Sequence, residues 1–359
     1  MNRNSEQPIA DQDVLVIDGR MGEGGGQVLR SSLSLSLCTG RSLRVEHIRA
    51  RRRRPGLMRQ HLACVRAAIE ISGGRATGTK LGSSELGFSP GPVRAGDYRF
   101  AVGSAGSAAL VLQTVLVPLL FADGVSTVRV EGGTHNAWAP PFDFLEQSFM
   151  PLLAQMGARV ELQLERVGFY PAGGGAITAK IYPVKLGANP PQALSLLERG
   201  EEGRHHVMIR RAHLSADIAD REWFAVRDRL HWGPALRRDN DHAESSGPGN
   251  SVHITLNFGN VTEVASSFGA KNRNAKTVGD QAAKEASRYL HSSAPVGVHL
   301  ADQLLLPMAF LAGGEFRTLK PSRHLVTNKD VINTFLPGCI QLKELDRELW
   351  EISCTASAI

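Results

Sequence analysis

Three stretches of the chain decide its fold: 22–48, GEGGGQVLRSSLSLSLCTGRSLRVEHI; 103–133, GSAGSAALVLQTVLVPLLFADGVSTVRVEGG; and 296–320, VGVHLADQLLLPMAFLAGGEFRTLK. Each reads as a glycine-rich entry, an apolar helix of roughly four turns, a glycine stop where a helix C-cap would fall, and an alternating strand. After the first two strands a second helix is expected, over 55–71 and 141–156. The stops Gly40 and Gly124 lie 84 positions apart, too far for a solenoid repeat, so the unit reads as a duplicated βαβ-like subdomain. From Gly124 to Gly314 there are 190 positions, 106 more, so something is inserted before the third copy.

The composition shift places the insert at about 185–276, a small α/β domain. It would hold a helix around 219–230, strands in HVMIRRAHL and SVHITLNF, and a loop in RRDNDHAESSGPGNS. A large domain then takes 13–184 and 277–359, behind a flexible tail at 1–12.

A chain of 359 residues exceeds the usual length of one compact core, and 42% hydrophobic with 21% charged residues excludes a fibre or a disordered protein. No stretch approaches the apolar length of a membrane span, and MNRNSEQPIADQ has no apolar signal region, so a cytoplasmic location is expected. Cys38, Cys64, Cys339 and Cys354 are widely spaced without a CxxC pair, which argues against a disulfide scaffold and a zinc site. A net charge of +6 fits a polyanionic partner without singling out RNA.

GEGGGQVLR at 22–30 lacks both the P-loop ending and the dinucleotide register. It offers close backbone approach, with Glu23 inside the loop and Gln27 and Arg30 a helical turn apart on one face. Alone, it reads better as a glycine turn before a core helix. IRARRRRPGLMRQH at 48–61 gathers Arg49, Arg51, Arg52, Arg53, Arg54 and Arg59 between a strand and a helix, where guanidinium groups and a helix N-terminus suit phosphate. Should 49–52 continue the strand, Arg49 and Arg51 would share one face and Ala50 and Arg52 the other. A solvated basic edge explains that segment equally well. His324, in KPSRHLVTN at 320–328, is one of twelve histidines and needs context to stand out.

In order and nearly end to end, GEGGGQVLR, IRARRRRPGLMRQH, GSAGSAALVLQT, EGGTHNAWAPPFDF, GFYPAGGG, HLADQ and KPSRHLVTN resemble the RNA 3′-terminal phosphate cyclase family. The resemblance implies a mixed α+β or α/β architecture: three repeated subdomains, each a four-stranded sheet with two helices, and a small inserted α/β domain. It implies that His324 attacks the α-phosphate of ATP to form an enzyme-histidine-AMP intermediate. The adenylate then passes to an RNA 3′-phosphate as RNA-(3′)pp(5′)-A, and the ribose 2′-hydroxyl closes the 2′,3′-cyclic phosphate with release of AMP. By the same match Arg30, Arg49, Arg52 and Gln60 handle phosphate, and Glu23 and Asp302 sit by a divalent metal, Mg2+ or Mn2+. Gln113 and Pro140 face the adenosine, and His299, Leu300, Ala301, Asp302 and Gln303 complete the ATP site. Relatives carry tyrosine where this chain has His299, so weaker or less selective adenine packing is expected.

The partner implied is RNA with a 3′-phosphate end; DNA ends and a homodimer stay open. One rival is the family's catalytically silent branch, which acts in ribosome assembly. It lacks the histidine, so His324 with Glu23 and Gln27 favours the enzyme. A second rival, an enolpyruvyl-transferase-like enzyme, shares the repeated plan but has no need of IRARRRRPG or KPSRHLVTN.

Overall fold

The computed structural model describes residues 14–184 and 190–357; the tail expected at 1–12 lies outside them. The first copy comprises β1 (Leu15–Asp18), α1 (Gly26–Thr39), β2 (Leu43–Glu46), α2 (Arg59–Ser72), β3 (Arg75–Thr77) and β4 (Leu86–Ser89). Its sheet runs β1-β2-β4-β3, with β1 parallel to β2 and the other pairs antiparallel. In the second copy, β5 (Asp97–Ala101), α3 (Ala108–Leu119) and β6 (Ser126–Gly132) precede a composite helix, α4 (Phe142–Phe144) and α5 (Met150–Gln155) joined by a π-turn at Leu145–Phe149. β7 (Arg159–Arg166) and β8 (Gly175–Tyr182) close it in the same order, β5-β6-β8-β7.

β9 (Leu194–Leu196) opens the third copy, but the chain then builds β10 (His206–Ala212), α6 (Ala216–Leu230), β11 (Arg237–Asp241), β12 (Gly249–Asn257), β13 (Thr262–Phe268) and α7 (Ala275–Leu290). These strands form their own sheet, β11-β10-β12-β13. Only afterwards come α8 (Val298–Phe310), β14 (Gly314–Thr318), α9 (Arg323–Phe335), β15 (Ile340–Glu344) and β16 (Trp350–Cys354). The third sheet is β9-β14-β16-β15, again with the first pair parallel.

Two elements cross the boundaries expected for the insert. β9, inside the expected 185–276, pairs with β14, and α7, which falls mostly in the expected large domain, packs against α6, β12 and β13. RRDNDHAESSGPGNS is not all loop either, since Arg237–Asp241 is an edge strand parallel to β10. The reason is tertiary: a charged strand with one neighbour and its outer side in water has no apolar alternation to betray it.

The glycine stops are partly as expected. Gly40 caps α1 in the left-handed region (φ 70°) with its N–H on the Ser36 carbonyl. α3 instead ends on right-handed Leu120, so Gly124 is no cap, and after α8 the left-handed residue with its N–H on Met308 is Gly313.

The helices meet in the middle of the large domain, α1 against α2, α3 and α9, and α8 against α9. That position explains α1, whose SLSLSL alternation would suit a strand but which is buried nearly all round. Ser34 donates to the Thr114 carbonyl (2.7 Å) and Ser36 to the Arg41 carbonyl (2.6 Å), so hydroxyls as well as leucines can be buried. Each fully buried leucine here, such as Leu33, Leu35 or Leu304, stabilises the fold by roughly 1.5–3 kcal/mol. Trp223, Val226, Ile254 and Val278 form a second core under the inserted sheet. Cys339, just before β15, and Cys354 of β16 are free, with their sulfurs 3.7 Å apart. No helix among the described residues is long and apolar enough to cross a membrane.

Candidate active site

The arginine run is a turn, not an extension of β2. The strand ends at Glu46, and His47 and Arg49 take left-handed backbone (φ 52° and 54°), so strand alternation does not sort these side chains. Arg52 reaches Glu23 at 2.6 Å, and Arg51 donates to the Gly22 carbonyl at 3.0 Å. Arg49 donates to the carbonyls of Arg54 (2.6 Å) and Gly56 (2.9 Å), holding its own loop.

The GEGGG entry fits closely against this turn. A Cβ on Gly25 would overlap Glu23 and Arg52, and one on Gly26 would overlap His61 and Arg30, so only glycine lets the first turn of α1 approach.

Ser322 caps α9, accepting from Leu325 N–H at 3.0 Å, and so sets His324 in the helix's first turn. Nδ1 of His324 lies 2.8 Å from Gln27 Oε1. The Gln27 amide is fixed at its other end, where Nε2 donates to Asp302 Oδ1 at 2.5 Å. Its oxygen therefore accepts from Nδ1–H, and Nε2 is the nitrogen left on the cavity side. That atom is 3.1 Å from Glu23 Oε2. The His324 side chain is 54% exposed and that of Glu23 only 10%. Asn328, one turn beyond His324, donates to the Asp302 carbonyl (3.0 Å) and accepts from Ser31 (2.7 Å). Gln303 donates to Asp302 Oδ2 at 2.8 Å and accepts from Gln113 at 2.7 Å, tying α8 to α3. Burial pushes the Asp302 carboxyl up, against the opposing pull of the Gln27 hydrogen bond.

These groups border a cavity of about 860 Å³. Of the residues expected from sequence, Glu23, Arg30, Arg52, Gln60, Gln113, Pro140, His299, Asp302, Gln303 and His324 line it. Arg49, Leu300 and Ala301 do not, and the last two are wholly buried in the core because they lie on the inward face of α8. The Arg30 guanidinium makes no hydrogen bond to a protein acceptor among the described residues, and burial lowers its pKa. Gln60 accepts from Ser107 N–H at 2.7 Å. His299 pairs with Glu285 of α7 at 3.2 Å, which pushes its pKa up.

Sequence reasoning missed His61, Ser31, Asn328 and Trp138, all on the lining. His61 is held neutral, its pKa lowered to about 3 by burial and by Arg30 and Arg49. Asn328 had a signal, its i, i+4 spacing from His324; the others had none.

Glu23 and Asp302 supply hard oxygen donors suited to Mg2+ or Mn2+. Glu23 Oε1 has no hydrogen-bond partner among the described residues, whereas both Asp302 oxygens already accept from amides. Among the described residues, no third carboxylate, histidine or cysteine joins these two in a ligand cluster. Elsewhere, His135, Asp143 and His253 bring ligand atoms within 4.8 Å of one another, but Arg210 already binds Asp143 through Nε and Nη2 and supplies the positive charge there.

Gln27, His299 and His324 are each the second residue of a helix, so the N-termini of α1, α8 and α9 open on the cavity with their partial positive charge. A site so made can hold a polyphosphate and offer it a nucleophile, which is the chemistry of nucleotidyl-transfer enzymes. Residues 21–342 match the family model described as RNA 3′-terminal phosphate cyclase. Proteins of that name from Koribacter versatilis and Pseudomonas fluorescens are each 48% identical to this chain, over 92% and 96% of it and 92% and 99% of their own lengths. The one from Salmonella agona is 45% identical over 94% of this chain and 96% of its own. Among solved structures, the enolpyruvyl transferase NikO from Streptomyces tendae matches at 10% identity and a TM-score of 0.37, over 96% of this chain and 48% of that one, a likeness too weak to carry any inference. The chain belongs to the RNA 3′-terminal phosphate cyclase family, which uses ATP, and is a ligase-type enzyme.

Proposed function

We propose that the chain uses ATP to convert an RNA 3′-terminal phosphate into a 2′,3′-cyclic phosphate, with Nε2 of His324 as the atom that carries AMP. The observation that supports this most is the Asp302–Gln27–His324 relay, which holds the proton on Nδ1 and leaves Nε2 on the cavity side, 3.1 Å from Glu23 Oε2. Nε2 attacks the α-phosphorus of ATP, a P–N bond forms, and pyrophosphate leaves. An oxygen of the RNA 3′-phosphate then displaces the imidazole to give RNA-(3′)pp(5′)-A. The neighbouring 2′-hydroxyl attacks the 3′-phosphorus, losing its proton, and AMP departs. Nucleophile and phosphorus share one ribose in that last step, where effective molarities reach about 10⁵ M or more.

Arg30 and Arg52 face the phosphates and offset their repulsion. Arg49 acts by shaping the loop that presents Arg52. Glu23 and Asp302 would hold a divalent cation, which supplies charge neutralisation on the polyphosphate when bound. Gln113 and Pro140 flank the adenosine. The inserted unit, bounded by β9 and α8, spans about 197–297 and closes the cavity with Ser266, Arg273 and Glu285.

Incubation with α-labelled ATP and Mg2+ tests this reading: it predicts an acid-labile, base-stable label on the protein. A wild-type protein that never labels favours the silent, RNA-binding branch of the family instead. His299 carries a further expectation, because an imidazole tied to Glu285 is a small platform for adenine. His299→Tyr should sharpen the preference for ATP over other NTPs, measured by competition in the labelling assay; strict ATP preference in wild type would contradict this.

A further inference from the structure

Trp138 is 100% exposed, lines the mouth of the cavity, and holds a left-handed backbone (φ 71°) that costs a non-glycine residue free energy. A large apolar ring held out in water at such a position needs a reason, and the loops beneath it supply one. Asn136 donates to the Ala105 carbonyl at 2.6 Å, Arg59 donates to the Gly103 carbonyl at 2.9 Å, and Gly173 abuts Ala105. The loops 103–107, 133–138 and 168–174 thus form one continuous rim. Exposed Arg59 is tied to the first of these loops, and the rim carries two exposed aromatic rings, Trp138 and Tyr170, the latter 75% exposed.

We propose that this rim is a track for single-stranded RNA, with Trp138 as the platform on which the base of the 3′-terminal nucleotide stacks and Tyr170 as a second platform further from the cavity. The proposal rests on the cyclase reading of the same site. Guanidinium groups that follow a phosphate backbone, interleaved with aromatic rings that accept any base, are how proteins hold single strands without reading sequence. An adenine ring of ATP is a poorer occupant, since a buried ligand needs walls and both faces of Trp138 stand in water.

The test uses the full chain, a synthetic single-stranded RNA with a 3′-phosphate, and the variants Trp138→Ala, Trp138→Phe and Tyr170→Ala. Because Trp138 is exposed in a backbone that strains any side chain, its replacement leaves the fold intact. Stacking predicts that RNA quenches tryptophan fluorescence in wild type and that most of this quenching is lost in both Trp138 variants. It also predicts that the KM for RNA rises about tenfold in Trp138→Ala and is largely restored in Trp138→Phe, while labelling by ATP alone is unchanged. Tyr170→Ala should raise KM for a longer RNA but not for a dinucleotide. An RNA KM within twofold of wild type in Trp138→Ala overturns the proposal, as does a parallel loss of ATP labelling, which would assign Trp138 to adenine. Quenching without any cyclised product would instead sink the cyclase reading and leave the platform standing; cyclisation without quenching does the reverse.

Discussion

His324 takes its orientation from Gln27, 297 positions away, and Gln27 takes its own from Asp302. Gln27→Ala should leave the fold intact, since the side chain borders a cavity, yet lower the rate of ATP labelling on the order of 10- to 100-fold by freeing the imidazole to turn and change tautomer. Rapid-quench labelling checks it; a rate within threefold of wild type would remove the relay from the mechanism. That His324, Glu23, Arg30 and Arg52 border one cavity was legible, because each falls in a block whose residues carry matching chemistry. The nitrogen proposed to carry AMP was not, because it depends on which way one amide points. Arg49 shows the opposite failure: the sequence displayed its charge but not its φ of 54°, which turns the guanidinium back onto its own loop.

Among elements, the glycine entry is where shape and chemistry meet. Gly26→Ala places a methyl against Arg30 and His61, so it should cut activity sharply while the melting temperature changes little, because the clash is with groups on the cavity lining. Within the insert, Glu222 of α6 is buried and accepts from Asn250 of β12, and burial raises its pKa from 4.5 to about 8. The folded state thus keeps a proton that the unfolded chain loses, so stability should fall as pH rises from about 4.5 to 8. Glu222→Gln should flatten that slope, giving a higher melting temperature than wild type at pH 8 and little difference at pH 5. An unchanged slope would show that Glu222 does not hold its proton. The repeats were readable at this scale because apolar helices and glycines recur at fixed spacing. β11 and β9 were not, one being charged and the other three residues long, so each exists only by virtue of the strand beside it.

Across the whole molecule, the insert is fastened to the second repeat by Arg210 of β10, which bonds Asp143 of α4 at 2.9 Å beside His135 and His253. Burial would raise the Asp143 carboxyl, but His253, the His135 hydrogen bond and Arg210 together hold it well below the usual carboxylate range. Arg210→Met leaves that charge without its partner and should destabilise the protein by roughly 3–5 kcal/mol in urea unfolding, with much of the loss recovered when Asp143→Leu is added. An Arg210→Met variant as stable as wild type would contradict this. Because Pro140 precedes Asp143 on the same segment, the fastening also positions the part of the cavity lining that Pro140 supplies. The most direct test of the central claim is to give wild type and His324→Ala the same RNA bearing a 3′-phosphate, with ATP and Mg2+, and score the ends. Wild type should form a 2′,3′-cyclic phosphate and the variant none; cyclisation by the variant would contradict the account.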